Sequence, residues 1–217
     1  MRVAVALASA TLIGTLASCA TPPPENISQR ANNAASPSPS ATQSGPAASP
    51  DVSAPTAAVP VAPPTHLTFP AAGIDGVVEE YTAADAEADG GINPPRLDSI
   101  SWYSGIEDAL AGSHATNTVY LFGHTWTQPA VFNGLRDVEI GDEATVTTQN
   151  GVMTYSVNDI ITMSKSDFSE DPRVAAIVPG RLALVSCFRP NGLDADAHAP
   201  DNIVVLMQLV GARPLSG

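Results

Sequence analysis

Arg181-Leu182-Ala183-Leu184-Val185-Ser186-Cys187-Phe188-Arg189-Pro190 is an apolar run that ends abruptly in a lone cysteine followed by an arginine. Leu182, Leu184 and Ser186 alternate with Ala183, Val185 and Cys187, and both sets are largely apolar. A short run of this kind fits a strand covered on both faces. Pro190, Asn191 and Gly192 then stop it. A strand end holds a side chain rigidly while leaving it within reach of a groove, which is the right position for a nucleophile. The alternative is a buried structural cysteine, because free cysteine is among the most buried residue types. A histidine in a matching place would separate the two readings.

Tyr120-Leu121-Phe122-Gly123-His124-Thr125-Trp126 supplies one. Thr118 to Phe122 is β-branched and aromatic, hence strand-forming, and Gly123 breaks it just before the imidazole. Two apolar strands thus each finish in a reactive side chain. A cysteine nucleophile needs a partner that stabilises its thiolate and later protonates the leaving amine, and histidine suits both tasks near neutrality. Cys187 and His124 are therefore a candidate acyl-transfer pair.

The chain opens with Met1-Arg2, an apolar segment from Val3 to Leu16, and small residues before Cys19. This describes a secretory signal over residues 1–18, too short for a comfortable membrane span, so the mature chain is expected to be exported. Leu16-Ala17-Ser18-Cys19 also resembles the lipobox of bacterial lipoproteins. The resemblance implies cleavage before Cys19, lipid on its sulfur, and an anchor at the outer face of the membrane, stable because two or more acyl chains hold where one is marginal. An ordinary signal peptide with an incidental cysteine is the alternative. The sequence has two cysteines. With Cys19 lipidated, Cys187 has no partner in an oxidising compartment, which shifts its reading towards function. Residues 19–65 are rich in Pro, Ala, Ser and Thr with almost no charge, and cannot bury enough surface to offset their ordering entropy. They read as a disordered tether of roughly 45 residues, spanning on the order of 40 Å as a coil.

Residues 66–217 are enough for one domain with a real core. Leu67 to Phe69, Gly76 to Val78, the histidine strand, Ala144 to Thr148, Val152 to Val157, Ile160 to Met163, the cysteine strand and Asn202 to Leu209 all read as short strands. Gln149-Asn150-Gly151 reads as a hairpin turn. Helical periodicity is scarce, with Gly105 to Ala111 and Asp171 to Ile177 as candidates. The pattern predicts a mostly-β barrel or sandwich with one or two short helices. Nine basic residues against twenty-two acidic ones give a formal net charge of −13. Nucleic acid and anionic lipid are therefore excluded as partners of a basic patch. Glu79, Glu80, Asp85, Glu87 and Asp89 lack the alternation of a calcium loop and read as a solvated acidic loop. Four scattered histidines and one thiol form no tetrahedral metal set, so neither metal nor cofactor is expected.

From His66 to Gln208 the chain resembles the sortases, cysteine transpeptidases of Gram-positive surfaces, most closely the compact actinobacterial classes E and F. The residues that carry the resemblance are Phe69-Pro70-Ala71-Ala72-Gly73-Ile74-Asp75, Trp102-Tyr103, Gly123-His124, Ala130 to Leu135, and Ile140-Gly141-Asp142-Glu143. Leu184-Val185-Ser186-Cys187 and Asp201 to Val205 complete the series. Each is weak alone; their order and spacing together are specific. The resemblance implies an eight-stranded sortase-type β-barrel in which Cys187 attacks a Thr carbonyl in the C-terminal sorting motif of another exported protein. It also implies that His124 protonates the departing amine, and that an amine of peptidoglycan or a pilin lysine resolves the thioacyl enzyme. Ser186 and Trp126 are expected beside the substrate, Trp126 as a wall of the groove or else as half-buried packing.

The sequence departs from the family where relatives carry an arginine just before the last strand, since Pro200 stands there. The nearest substitute is Arg189, which shares a face with Cys187 if the strand persists that far; otherwise it is a surface residue and the site lacks its arginine. His198 and His114 read as loop histidines, and His66 as the close of the tether. Two other readings remain open: a catalytically impaired peptide-binding module on the same barrel, and a hydrolytic cysteine peptidase.

Overall fold

A computed structural model describes residues 58–189 and 199–215. The leader at 1–18, the lipidation site at Cys19, most of the tether, and residues 190–198 with His198 lie outside the described residues. Eight strands form a closed barrel. They are β1 (Pro64–Phe69), β2 (Ile74–Tyr81), β3 (Ile100–Tyr103), β4 (Thr118–Phe122), β5 (Glu143–Thr148), β6 (Gly151–Ser164), β7 (Arg181–Phe188) and β8 (Asp201–Pro214). Their order around the barrel is β1-β2-β3-β4-β7-β8-β6-β5, and antiparallel pairing of β1 with β5 closes it. Two short helices, α1 (Ala83–Ala88) and α2 (Pro172–Ala175), interrupt the strands. The mostly-β architecture expected is the one observed.

At the centre lies the parallel pair β4–β7, in which Phe122 stands opposite Val185. Alternation explains why both strands are apolar throughout. Val119, Leu121, Leu182 and Leu184 fill the barrel core with Phe69, Tyr155 and Met207. Tyr120, Phe122, Ala183 and Val185 lie on the outer face, where Ile161, Val174 and Val204 cover them. Leu182 and Leu184 are fully buried, each contributing about 2 kcal/mol by removal from water. The Tyr155 hydroxyl sits in that core without a partner among the described residues, and burial pushes its phenol well up.

Four expectations shift. The border set at Thr65 and His66 falls inside β1, and the packed chain reaches back to Val59, whose N–H donates to Ser113 Oγ. The separate strands at Val152 to Val157 and Ile160 to Met163 are one strand, β6, because register shifts around Asn158 absorb the break. Gly105 to Ala111 is not helical: Asp108 takes a left-handed φ of 57°, and the Trp102 indole captures the Ala109 carbonyl. The acidic stretch read as a loop holds α1, whose start is a capping box between Thr82 and Asp85. The hairpin at Gln149-Asn150-Gly151 is present, held by Thr148 Oγ1, which accepts from the Asn150 and Gly151 N–H groups. Gly151 is required there for room, since a Cβ would meet the Arg213 carbonyl oxygen at 2.5 Å.

Candidate active site

Because β4 and β7 run in the same direction, they end at the same edge of the barrel. The ladder continues past β4, with Gly123 N–H donating to the Val185 carbonyl at 3.2 Å. Ser186 Oγ donates to the Gly123 carbonyl at 2.7 Å, and Thr125 Oγ1 donates to the Cys187 carbonyl at 2.6 Å. Together these bonds clamp residues 123–125 against 186–187. Gly123 is bare of necessity, because a Cβ would lie 2.8 Å from the side chains of Val131 and Phe132. His124 and Cys187 follow the parity of Phe122 and Val185 and so stand on the outer face. Both border one cavity of about 490 Å³, with Cys187 half-buried.

One wall of the cavity is the segment Gly90 to Pro94. His124 Nε2 lies 2.7 Å from the Pro94 carbonyl oxygen. A carbonyl can only accept, so Nε2 carries the proton and Nδ1 is the basic nitrogen of the neutral ring. Tyr81 holds this segment from below: its hydroxyl donates to Asp89 Oδ2 at 2.6 Å and accepts from the Asn93 N–H at 3.3 Å. Burial, and then the bond to Asp89, push the Tyr81 phenol up. Phe122, Val185 and Phe168 give the cavity an apolar side, and Asn202 and Lys165 a polar one.

Of the anticipated site residues, Cys187, His124 and Ser186 border the cavity. The Ser186 hydroxyl, however, is committed to the Gly123 carbonyl, so it ties the two strand ends together. Trp126 does not line the cavity; it is 36% exposed, and its ring lies under the Arg189 guanidinium at 4.8 Å. Strand β7 ends at Phe188, one residue short of Arg189. The Arg189 side chain is buried and donates through Nη1 to the Thr125 carbonyl at 2.9 Å, and it too is not among the residues lining the cavity. Asn202, Lys165 and Pro94 were missed by sequence reasoning. The parity of Asn202 with Val204 and Leu206 was a usable signal; the Pro94 contact spans thirty residues and left none. Among the described residues no three of His, Cys, Asp and Glu come together as a metal set.

A comparison with curated proteins finds no match. Among solved structures the chain is similar to sortase A of Listeria monocytogenes, at 15% identity over 70% of this chain and 90% of that one, with a TM-score of 0.51. It is similar to sortase E1 of Streptomyces coelicolor, solved with a tripeptide in the active site, at 18% identity over 70% and 90%, TM-score 0.51. It is also similar to a sortase of Actinomyces oris, at 15% identity over 75% and 89%, TM-score 0.51. At these identities the likeness speaks for the barrel alone. The sequence itself goes further: the family model of the sortase domain matches residues 67–210, more than half of the chain, and the chain belongs to the sortase family.

Proposed function

We propose that this member of a cysteine transpeptidase family is an exported, class E/F-type sortase, anchored by lipid at Cys19. It cleaves a C-terminal sorting motif of another exported protein and joins that protein to a cell-wall or pilin amine. The observation that carries the reading is the pairing of Cys187 and His124 at the ends of adjacent parallel strands, on one face and beside one cavity. In the first half-reaction the Cys187 thiol gives its proton to His124, and Sγ bonds to the substrate carbonyl carbon as the C=O electron pair moves onto oxygen. The pair returns, the C–N bond breaks, and the amine leaves with the proton from His124, giving a thioester. An incoming amine then attacks the thioester, loses its proton to His124 and expels the Cys187 sulfur. His124 exchanges protons through Nδ1, with Nε2 held on Pro94.

The placement of Arg189 on Thr125 and Trp126 favours a second reading, a peptide-binding module without turnover. The test is incubation of the full chain with sorting-motif peptides and an amine acceptor, followed by mass spectrometry. An adduct on Cys187 and an amide product, both absent in Cys187→Ala and His124→Ala, support the transpeptidase. Carboxylate product alone makes it a hydrolytic peptidase, and bound peptide without an adduct makes it the binding module.

A further inference from the structure

Thioester formation passes through an oxyanion, and a site without donors for it loses a hundredfold or more in rate, on the order of 3 kcal/mol per donor. Donors for it must stand beside the thiol, and two side chains that border the cavity are placed to serve. Asn202 stands directly across the β7–β8 ladder from Cys187, with Met163 of β6 on its other side. Directly opposed residues of an antiparallel pair share a face, their Cβ atoms about 5 Å apart. Val204 and Leu206, of the same parity on β8, lie in the outer cluster, so Asn202 is on the outer face with the thiol. It borders the same cavity, and its carboxamide is engaged by no other described residue.

Lys165 follows the end of β6 at Ser164, and its N–H donates to the Pro200 carbonyl at 3.2 Å, which fixes its backbone at the start of β8. It is the one lysine of the sequence. Among the described residues bordering the cavity, it is the one Lys or Arg. Met163, Asn202, Cys187 and His124 thus form a row across β6, β8, β7 and the exit of β4, and Lys165 lies just beyond its first member.

We propose that Asn202 and Lys165 form the anion-binding pair of this site. The Asn202 carboxamide donates to the substrate oxygen as it takes the C=O electron pair, and the Lys165 ammonium compensates the charge until the pair returns. This deepens the transpeptidase reading and rests on it for the identity of the anion.

Two readouts on the full chain test the pair. The first needs no peptide: alkylation of Cys187 by anionic iodoacetate is compared with alkylation by neutral iodoacetamide. Asn202→Ala and Lys165→Met are expected to lower the iodoacetate-to-iodoacetamide rate ratio about threefold, and Lys165→Arg to restore it; the ratio cancels any common change in thiolate reactivity. The second is transpeptidation, where Asn202→Ala is expected to lower kcat about a hundredfold with KM little changed. Damage to the fold would instead show as a lowered melting temperature. A ratio that stays at the wild-type value in both variants overturns the pair, whatever the peptides do. If the wild type forms no product while both variants lose its anion preference, the transpeptidase reading is refuted and the anion site upheld.

Discussion

The imidazole of His124 hangs from the carbonyl of Pro94, with Nε2 2.7 Å from the oxygen. The orientation of the ring is thus set by a connecting segment, and that segment is pinned by the Tyr81 hydroxyl on Asp89 and Asn93. Tyr81→Phe removes these bonds and the hydroxyl's 3.3 Å contact with the Gly91 carbonyl, at a residue that does not itself border the cavity. We expect kcat to fall about tenfold through misplacement of the base, with little change in melting temperature. Steady-state kinetics beside a thermal melt would check it, and an unchanged kcat would show that the His124 ring is held by other contacts.

Ser186→Ala leaves the Gly123 carbonyl, at a buried position, without the 2.7 Å bond that joins the strand ends. A loss of about 1–3 kcal/mol in unfolding free energy is expected. Urea denaturation gives the stability, and activity should fall with it because the same bond fixes the separation of His124 and Cys187.

Gly123→Ala drives a methyl group into Val131 and Phe132 at 2.8 Å. Those neighbours are side chains packed at a strand exit, so the expected cost is about 1–3 kcal/mol from overpacking. The displaced turn carries His124, so the adduct on Cys187 should form far more slowly. A variant as active as wild type would show that the turn can relax without moving the imidazole.

Arg181 is a buried cation whose partners are neutral: Thr118 Oγ1, the Tyr120 hydroxyl and the carbonyls of Arg173, Val174 and Ala176. It gathers the carbonyls at the end of α2, work suited to the fork of a guanidinium. Arg181→Met strands several buried acceptors and should cost about 3 kcal/mol or more, measured by urea denaturation. Arg181→Lys should recover only part of it, since one ammonium cannot reach all five oxygens.

Three carboxyls are held below the usual carboxylate range in the folded chain. The Arg173 side chain and then its N–H act on Asp171, His66 and then Thr68 on Asp75, and the Thr82 side chain and then its N–H on Asp85. A depressed folded value means that the stabilisation is fully present above the unfolded value, near 4, and is lost as pH falls through the folded ones. Urea midpoints should therefore hold from neutrality down to about pH 4 and then decline. Asp171→Asn should flatten that acid limb. A decline that begins above pH 5, or is unaltered by the substitution, would assign it to other groups.

The barrel was legible wherever neighbours in sequence decide the structure. Two-faced apolar alternation at Leu182 to Val185 and Val119 to Phe122 marked buried parallel strands, and Gly123 and Pro190 marked where they stop. The helix at Ala83–Ala88 was legible too, through Thr82 and Asp85, but the run of acids beside it read as a loop. What local pattern could not supply was register. Whether Arg189 turns to the cavity depends on β7 ending one residue earlier, and the Thr125 carbonyl that receives it is sixty-four residues away. Asn202 meets Cys187 only through the alignment of β7 with β8, and Lys165 only through that of β6 with β8.

The parallel pairing of β4 with β7 also governs when chemistry becomes possible. A parallel pair cannot be joined by a tight turn, and here the paired positions Gly123 and Ser186 lie 63 residues apart. Between them in sequence lie β5 and β6. Such distant contacts form late and slowly. Until they do, Cys187 and His124 stand apart, so the acyl transfer proposed for the pair waits on the pairing of β4 with β7, and the fold itself times the site.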